Sequence, residues 1–135
     1  MITEDFVSYE VAKLLKEKGF NEPCECAYSA EGQYLLSCYK GIADRRIKND
    51  ETLDFSYSST APTHEMAMAW LRKMYNIYYE IKLLLGENAE KYGRLQLGIY
   101  QLNSLETYVW KGWIYADTYV ELYENYIKYC LENLI

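Results

Sequence analysis

The chain has 135 residues, half of them apolar and a quarter charged, and carries a net charge of −6. That composition argues against wholesale disorder, and a chain of this length buries roughly 68% of its unfolded surface, enough for a core without disulfide or metal staples. The acidic balance argues against a phosphate-binding surface of clustered Lys and Arg, so no nucleic-acid partner is expected. One domain spanning residues 1–135 is the expectation.

The first element reads as a helix over Ser8 to Lys18, with Ser8 as N-cap, Val11, Leu14 and Leu15 as its apolar stripe, and Gly19 as the stop. Residues 24 to 40 read as a β-hairpin around Ala30-Glu31-Gly32, with glycine at the left-handed bulge position. That turn pairs Ser29 with Gln33, Cys26 with Leu36 and Cys24 with Cys38. Cys24, Cys26, Tyr28, Tyr34, Leu36 and Cys38 then share the buried face. The stretch 41–54 is charged and aperiodic and is expected to be a mobile loop, followed by a short strand around Phe55 to Ser58.

A second helix is predicted over Pro62 to Tyr75, with Pro62 in its first turn, an inner stripe of Met66, Ala67, Trp70, Leu71 and Met74, and Asn76 as a left-handed terminator. Three strands follow. Residues 77–85 alternate Ile77, Tyr79, Ile81, Leu83 and Leu85 against Tyr78, Glu80 and Lys82. Residues 94–102 put Leu95, Leu97 and Ile99 on one face. Residues 107–115 put Tyr108, Trp110 and Ile114 on a face, with Val109, Trp113 and Tyr115 behind. The glycine-bounded stretch 86–93 reads as a hairpin loop. A closing helix over Thr118 to Asn133 starts at a Thr118/Glu121 capping box and turns Val120, Tyr123, Ile127, Cys130, Leu131 and Leu134 inward. Short connections in place of βαβ crossovers predict an α+β fold: an antiparallel sheet of about five strands with three helices, in the order α-β-β-(β)-α-β-β-β-α.

Catalytic motifs are not found. The one histidine, His64, opens a helix and is expected to be exposed, with no orienting partner that the sequence identifies. Cys24, Cys26, Cys38 and Cys130 invite comparison with a zinc site, but C-x-C lacks the usual ligand spacing. Buried, reduced thiols are the expectation, with no metal, no cofactor and no enzymatic activity. The opening MITEDFVSYE is acidic and has no apolar run, so it does not read as a secretory signal. No stretch approaches the ~18 apolar residues of a membrane helix, so a cytoplasmic protein without a membrane partner is expected.

Tyrosine is the outlying feature, with 16 residues against three Phe and three Trp. A tyrosine ring buries apolar area while its hydroxyl still needs a partner or water, which suits half-wet packing and binding surfaces. Pairing Leu102 with Thr107 sets Tyr100 opposite Val109, Gly98 opposite Lys111, Gln96 opposite Trp113 and Arg94 opposite Tyr115. The candidate binding face is therefore Tyr100, Trp113, Tyr115, Arg94, Gln96 and Lys111, with Gly98 as a dip and Tyr78 extending it. Tyr, Trp and Arg are the types enriched at binding hot spots. The expected role is docking of another protein, or of a second copy of the chain. The alternative is a small planar ligand of the nucleotide type stacked on the same rings. A flat apolar patch favours the first and a pocket with convergent polar groups the second.

Three segments, SYEVAKLLKEKGFNEPC (8–24), APTHEMAMAWLRK (61–73) and YVELYENYIKYCLENLI (119–135), resemble small uncharacterised proteins of Bacteroidetes genomes and their phages or prophages. Those proteins share a helix ending in a KEKGF-type turn, an APT-initiated helix with a W-L-R core, and a closing helix. The resemblance covers about a third of the chain. It implies a mobile-element origin and an accessory role, and it carries no activity, cofactor or site.

Overall fold

In the computed structural model, residues 6–31, 34–38, 45–51, 57–103 and 107–135 are described. Among them run α1 (Tyr9–Glu17), β1 (Cys26–Ser29), β2 (Leu35–Ser37), β3 (Tyr57–Ala61), α2 (His64–Tyr75), β4 (Ile77–Leu83), α3 (Glu87–Tyr92), β5 (Leu95–Leu102), β6 (Tyr108–Ala116) and α4 (Tyr119–Asn133). The strands form two three-stranded antiparallel sheets, ordered β2-β1-β3 and β4-β5-β6. The fold is α+β as expected, but with two sheets where one of about five strands was predicted, and four helices where three were. The chain divides into two compact units, residues 1–67 and 68–135, the boundary falling inside α2.

In the first unit, Ser8 caps α1 by accepting from the Val11 N–H at 3.3 Å. Gly19, at φ +94°, lets the chain leave the helix, and the Phe20 N–H then donates to the Leu15 carbonyl at 2.9 Å. Val11, Ala12, Leu15 and Phe20 are buried. The hairpin register corrects the expectation by one residue. The Ser29 N–H donates to the Tyr34 carbonyl at 2.7 Å, and the Ser29 hydroxyl accepts from the Tyr34 N–H at 2.8 Å, so Ser29 pairs with Tyr34 instead of Gln33. Cys26 consequently faces Ser37, and Ala27 faces Leu36. A one-residue slip exchanges the two faces of a strand. The slip puts Ala27, not Cys26, on the face of Cys38, and the two pack with Ile47. Tyr34 and Leu36, predicted as core, have the same parity as Cys38 but are exposed.

Cys24 bridges to Ile47, not to Cys38, through hydrogen bonds of 2.8 and 3.1 Å. Of the charged stretch 41–54, residues 41–44 and 52–54 lie outside the described residues, as do Phe55 and Ser56 of the predicted short strand. The remainder is tied down: Ile47 is buried, and Asn49 donates to the Phe20 carbonyl and accepts from the Thr60 N–H.

The α2 start is also corrected. Thr63 caps it, its hydroxyl accepting from the Met66 N–H at 3.1 Å, while the Pro62 carbonyl is taken by the Val7 N–H at 3.0 Å. The inner stripe accordingly runs through His64, Ala67, Met68 and Leu71, with Trp70 beside it, at i, i+3, i+4 and i+7. His64 is therefore buried, not exposed, and Met74, predicted as core, is exposed. Asn76, at φ +56°, ends the helix as predicted.

In the second unit α4 packs on β5 and β6. Its cap is Thr118, accepting from the Glu121 N–H at 3.2 Å. Its buried residues are Leu122, Tyr126, Ile127, Cys130 and Leu131, so Tyr126 belongs to the core, whereas Val120, predicted inward, is exposed. The stretch 86–93 holds the short helix α3 in place of the expected open loop.

An aromatic face on the second sheet

The side chains of β4, β5 and β6 separate into two faces by alternation. Rows across the inner face are Ile81–Leu97–Ile114 and Tyr79–Ile99–Gly112. Tyr79 meets the α4 rings Tyr123 and Tyr126 at centroid distances of 6.3 and 5.3 Å, and the Tyr129 hydroxyl donates to the Lys111 carbonyl. Helix α4 therefore covers this side. Rows across the outer face are Lys82–Gln96–Tyr115, Glu80–Gly98–Trp113, Tyr78–Tyr100–Trp110 and, at the end, Leu102–Tyr108.

Simple alternation forbids Trp110 and Trp113 from sharing a face, because they stand three positions apart, an odd number. A β-bulge between Ile99 and Tyr100 resolves this: Gly112 pairs with Ile99 and Trp110 pairs with Tyr100, leaving Lys111 as the extra residue. Gly112 sits at φ +147°, a conformation that side-chain-bearing residues rarely adopt. A Cβ on it would also meet the Tyr129 hydroxyl at 3.4 Å. The bulge reverses the parity of β6 beyond it. Tyr108 and Trp110, predicted for the core face, turn outward, and Val109, predicted for the back, turns to the inner side.

The structure brings five of the seven sequence-predicted binding residues onto this face: Tyr78, Gln96, Tyr100, Trp113 and Tyr115. Lys111 does not sit opposite Gly98; it is the bulge residue. Arg94 does not face Tyr115, since Gln96 holds that place and donates to the Tyr115 hydroxyl at 3.0 Å. Arg94 instead lies just before β5, where its backbone N–H donates to Asp117, and it borders a cleft of about 470 Å³ with Leu83, Leu85, Ala89 and Glu90. The expected dip at Gly98 is filled: Trp113 lies against it so closely that an added Cβ would stand 2.8 Å from the indole Cζ3. Trp110, Tyr108 and Tyr92 were missed by strand alternation. Only a signal for the bulge, such as the Lys111-Gly112 pair in mid-strand, pointed to the first two.

The outer rings are exposed: Tyr78 39%, Trp110 49%, Trp113 45% and Tyr108 64%. Tyr100 and Tyr108 meet edge to face at 5.4 Å and 81°, Trp110 and Trp113 at 5.5 Å and 54°, and Tyr92 stacks on Tyr115 at 4.9 Å. Between the rings runs a groove of about 330 Å³ lined by Tyr78, Tyr79, Glu80, Tyr100, Leu102 and Tyr108. Tyrosine hydroxyls and indole N–H groups supply hydrogen-bond donors along an apolar floor.

The cysteines fall elsewhere. Cys24 and Cys38 are buried in the first unit with Cys26 half-buried, and Cys130 is buried on α4. Burial pushes the Cys24 and Cys38 thiols up to about 11 and that of Cys130 to about 12, which keeps them protonated at neutral pH. Among the described residues no group of three or more His, Cys, Asp or Glu is placed to hold a metal ion, and no helix is long and apolar enough to cross a membrane. Comparisons with family models, curated proteins and solved structures return no match.

Proposed function

We propose that this chain is a non-enzymatic accessory protein of mobile-element origin that works in the cytoplasm by docking another protein, or a second copy of itself, on the outer face of β4–β6. The observation that carries the reading is the bulge at Lys111. It adds Trp110 and Tyr108 to a face already holding Tyr78, Tyr100, Trp113 and Tyr115, and the rings of Tyr78, Tyr108, Trp110 and Trp113 are exposed. Soluble proteins seldom leave contiguous aromatic surface uncovered without a use, and Trp and Tyr dominate binding hot spots. Burying a half-exposed tryptophan against a partner removes apolar area from water at roughly 25 cal/mol per Å².

A Trp110→Ala/Trp113→Ala variant tests this by light scattering and by capture of partners from the native host. Loss of self-association or of the captured partner is expected, with the folded state retained. Every contact surviving in the variant would refute the face. The groove of about 330 Å³ favours a second reading, a small planar ligand, because its volume reaches the lower end of ligand pockets. The ring tilts of 54° and 81° weigh against flat stacking.

A further inference from the structure

The outer face has a period as well as a composition. Tyr78, Tyr100 and Trp110 form one row running across three strands. Adjacent strands lie about 4.8 Å apart, so the two outer members of that row are separated by about 9.6 Å. A polyproline II chain advances about 3.1 Å per residue with three residues per turn, repeating every ~9.3 Å. A peptide in that conformation, laid across the strands, places two residues three apart over Tyr78 and Trp110, the ends of the row, with Tyr100 between them. The rings suit such a guest. Tyr100 and Tyr108 stand at 81° and line the groove with Tyr78, giving ridges instead of a flat platform, and Trp110, in the row of Tyr78 and Tyr100, extends the ridge beyond the groove. Pyrrolidine rings pack between such ridges, and the carbonyls of a polyproline II chain, which make no internal hydrogen bonds, can accept from the tyrosine hydroxyls and indole N–H groups.

Charge narrows the guest further. Glu80 lines the groove and is exposed, and among the described residues it is the one charged residue in that lining. Lys82, the nearest cation on the same strand, sits one row further on beside Gln96 and does not line the groove. The chain as a whole carries −6. We infer that the occupant of this face is an extended proline-rich peptide segment of a partner protein, with prolines three residues apart and a flanking Arg or Lys that reaches Glu80. This rests on the protein-docking reading above and specifies its partner class.

The test uses the full chain and a panel of dodecapeptides with a Pro-x-x-Pro core flanked by arginine. Matched controls replace the prolines with alanine or the arginines with glutamate. Binding is followed by NMR at the indole N–H signals and by calorimetry. The expected result is saturable binding that shifts the Trp110 and Trp113 indoles and is lost in the Pro→Ala peptides. Tyr108→Ala, at a site 64% exposed and so compatible with folding, should weaken it about fivefold or more. Glu80→Gln should weaken it about two- to fivefold, the range of an exposed ion pair. Equal binding of the Pro→Ala peptides would overturn the inference. So would a panel that fails to bind while a second copy or a captured protein is still released by Trp110→Ala, an outcome that leaves the docking face standing. A panel that fails, with every contact surviving in Trp110→Ala/Trp113→Ala, overturns both readings.

Discussion

Tyr126→Phe should make this protein more stable. Tyr126 is fully buried on α4, its ring packed against Tyr79 at 5.3 Å, and its hydroxyl has no hydrogen-bond partner. The Cys130 thiol one helical turn on raises the hydroxyl pKa further above the level set by burial, but it falls short of hydrogen-bond geometry, and sulfur is a weak partner in any case. A buried polar group left unpaired costs about 1–3 kcal/mol, whereas the ring contacts survive in phenylalanine. The variant should therefore gain about 1 kcal/mol or more, seen as a higher urea midpoint with an unchanged slope and a Tm raised by roughly 3–5 °C. Far-UV circular dichroism and tryptophan fluorescence provide the readout. A loss of 1 kcal/mol or more would refute the reasoning and show that the thiol satisfies the hydroxyl.

Trp70→Ala should cost roughly 3–5 kcal/mol, since Trp70 is 5% exposed and packs edge-on against Tyr75 at 5.3 Å; a loss below ~1 kcal/mol in urea titration would show that its side chain is not core. Deleting Lys111 removes the bulge residue, so Trp110 and Trp113 can no longer share a face; loss of their near-UV dichroism and a stability loss of about 1–3 kcal/mol from forced repacking are expected, and an unaltered spectrum would count against the bulge. Stability should also fall as pH rises from about 9 to 12. An unfolded thiol ionises near 9.0, whereas Cys24 and Cys38 keep their protons to about 11 and Cys130 to about 12, so across that window the unfolded chain binds fewer protons and gains on the folded one. Below pH 8 the curve should be insensitive to these groups, and a Cys24→Ala/Cys38→Ala/Cys130→Ala variant that kept the full alkaline slope would contradict the assignment.

Local chemistry was legible in the sequence where one or two residues decide the outcome. Ser8 and Thr118 cap their helices, Gly19 and Asn76 end theirs in the left-handed region, and Leu95, Leu97 and Ile99 mark the buried face of β5. Each of these depends on a side chain reaching its own backbone or on a period of two, and both are written in the order of residues. Register was not. Ser29 meets Tyr34 instead of Gln33 through a backbone and a hydroxyl contact, and that register puts Ala27 in place of Cys26 on the face of Cys38. Helix rotation likewise depended on tertiary packing, which buried His64 and Tyr126 and exposed Met74 and Val120.

The tyrosine excess by itself pointed to wet-edged packing and a binding surface, and composition alone carried it that far. Which rings are structural and which face outward was settled by the fold. One extra residue in β6 reverses the strand's parity, and that reversal gathers Tyr108 and Trp110 with Tyr78, Tyr100, Trp113 and Tyr115. A bulge has no period to read. It exists because the partner strand and the covering helix accept it, here with Gly112 taking the strained backbone and Tyr129 donating to the Lys111 carbonyl.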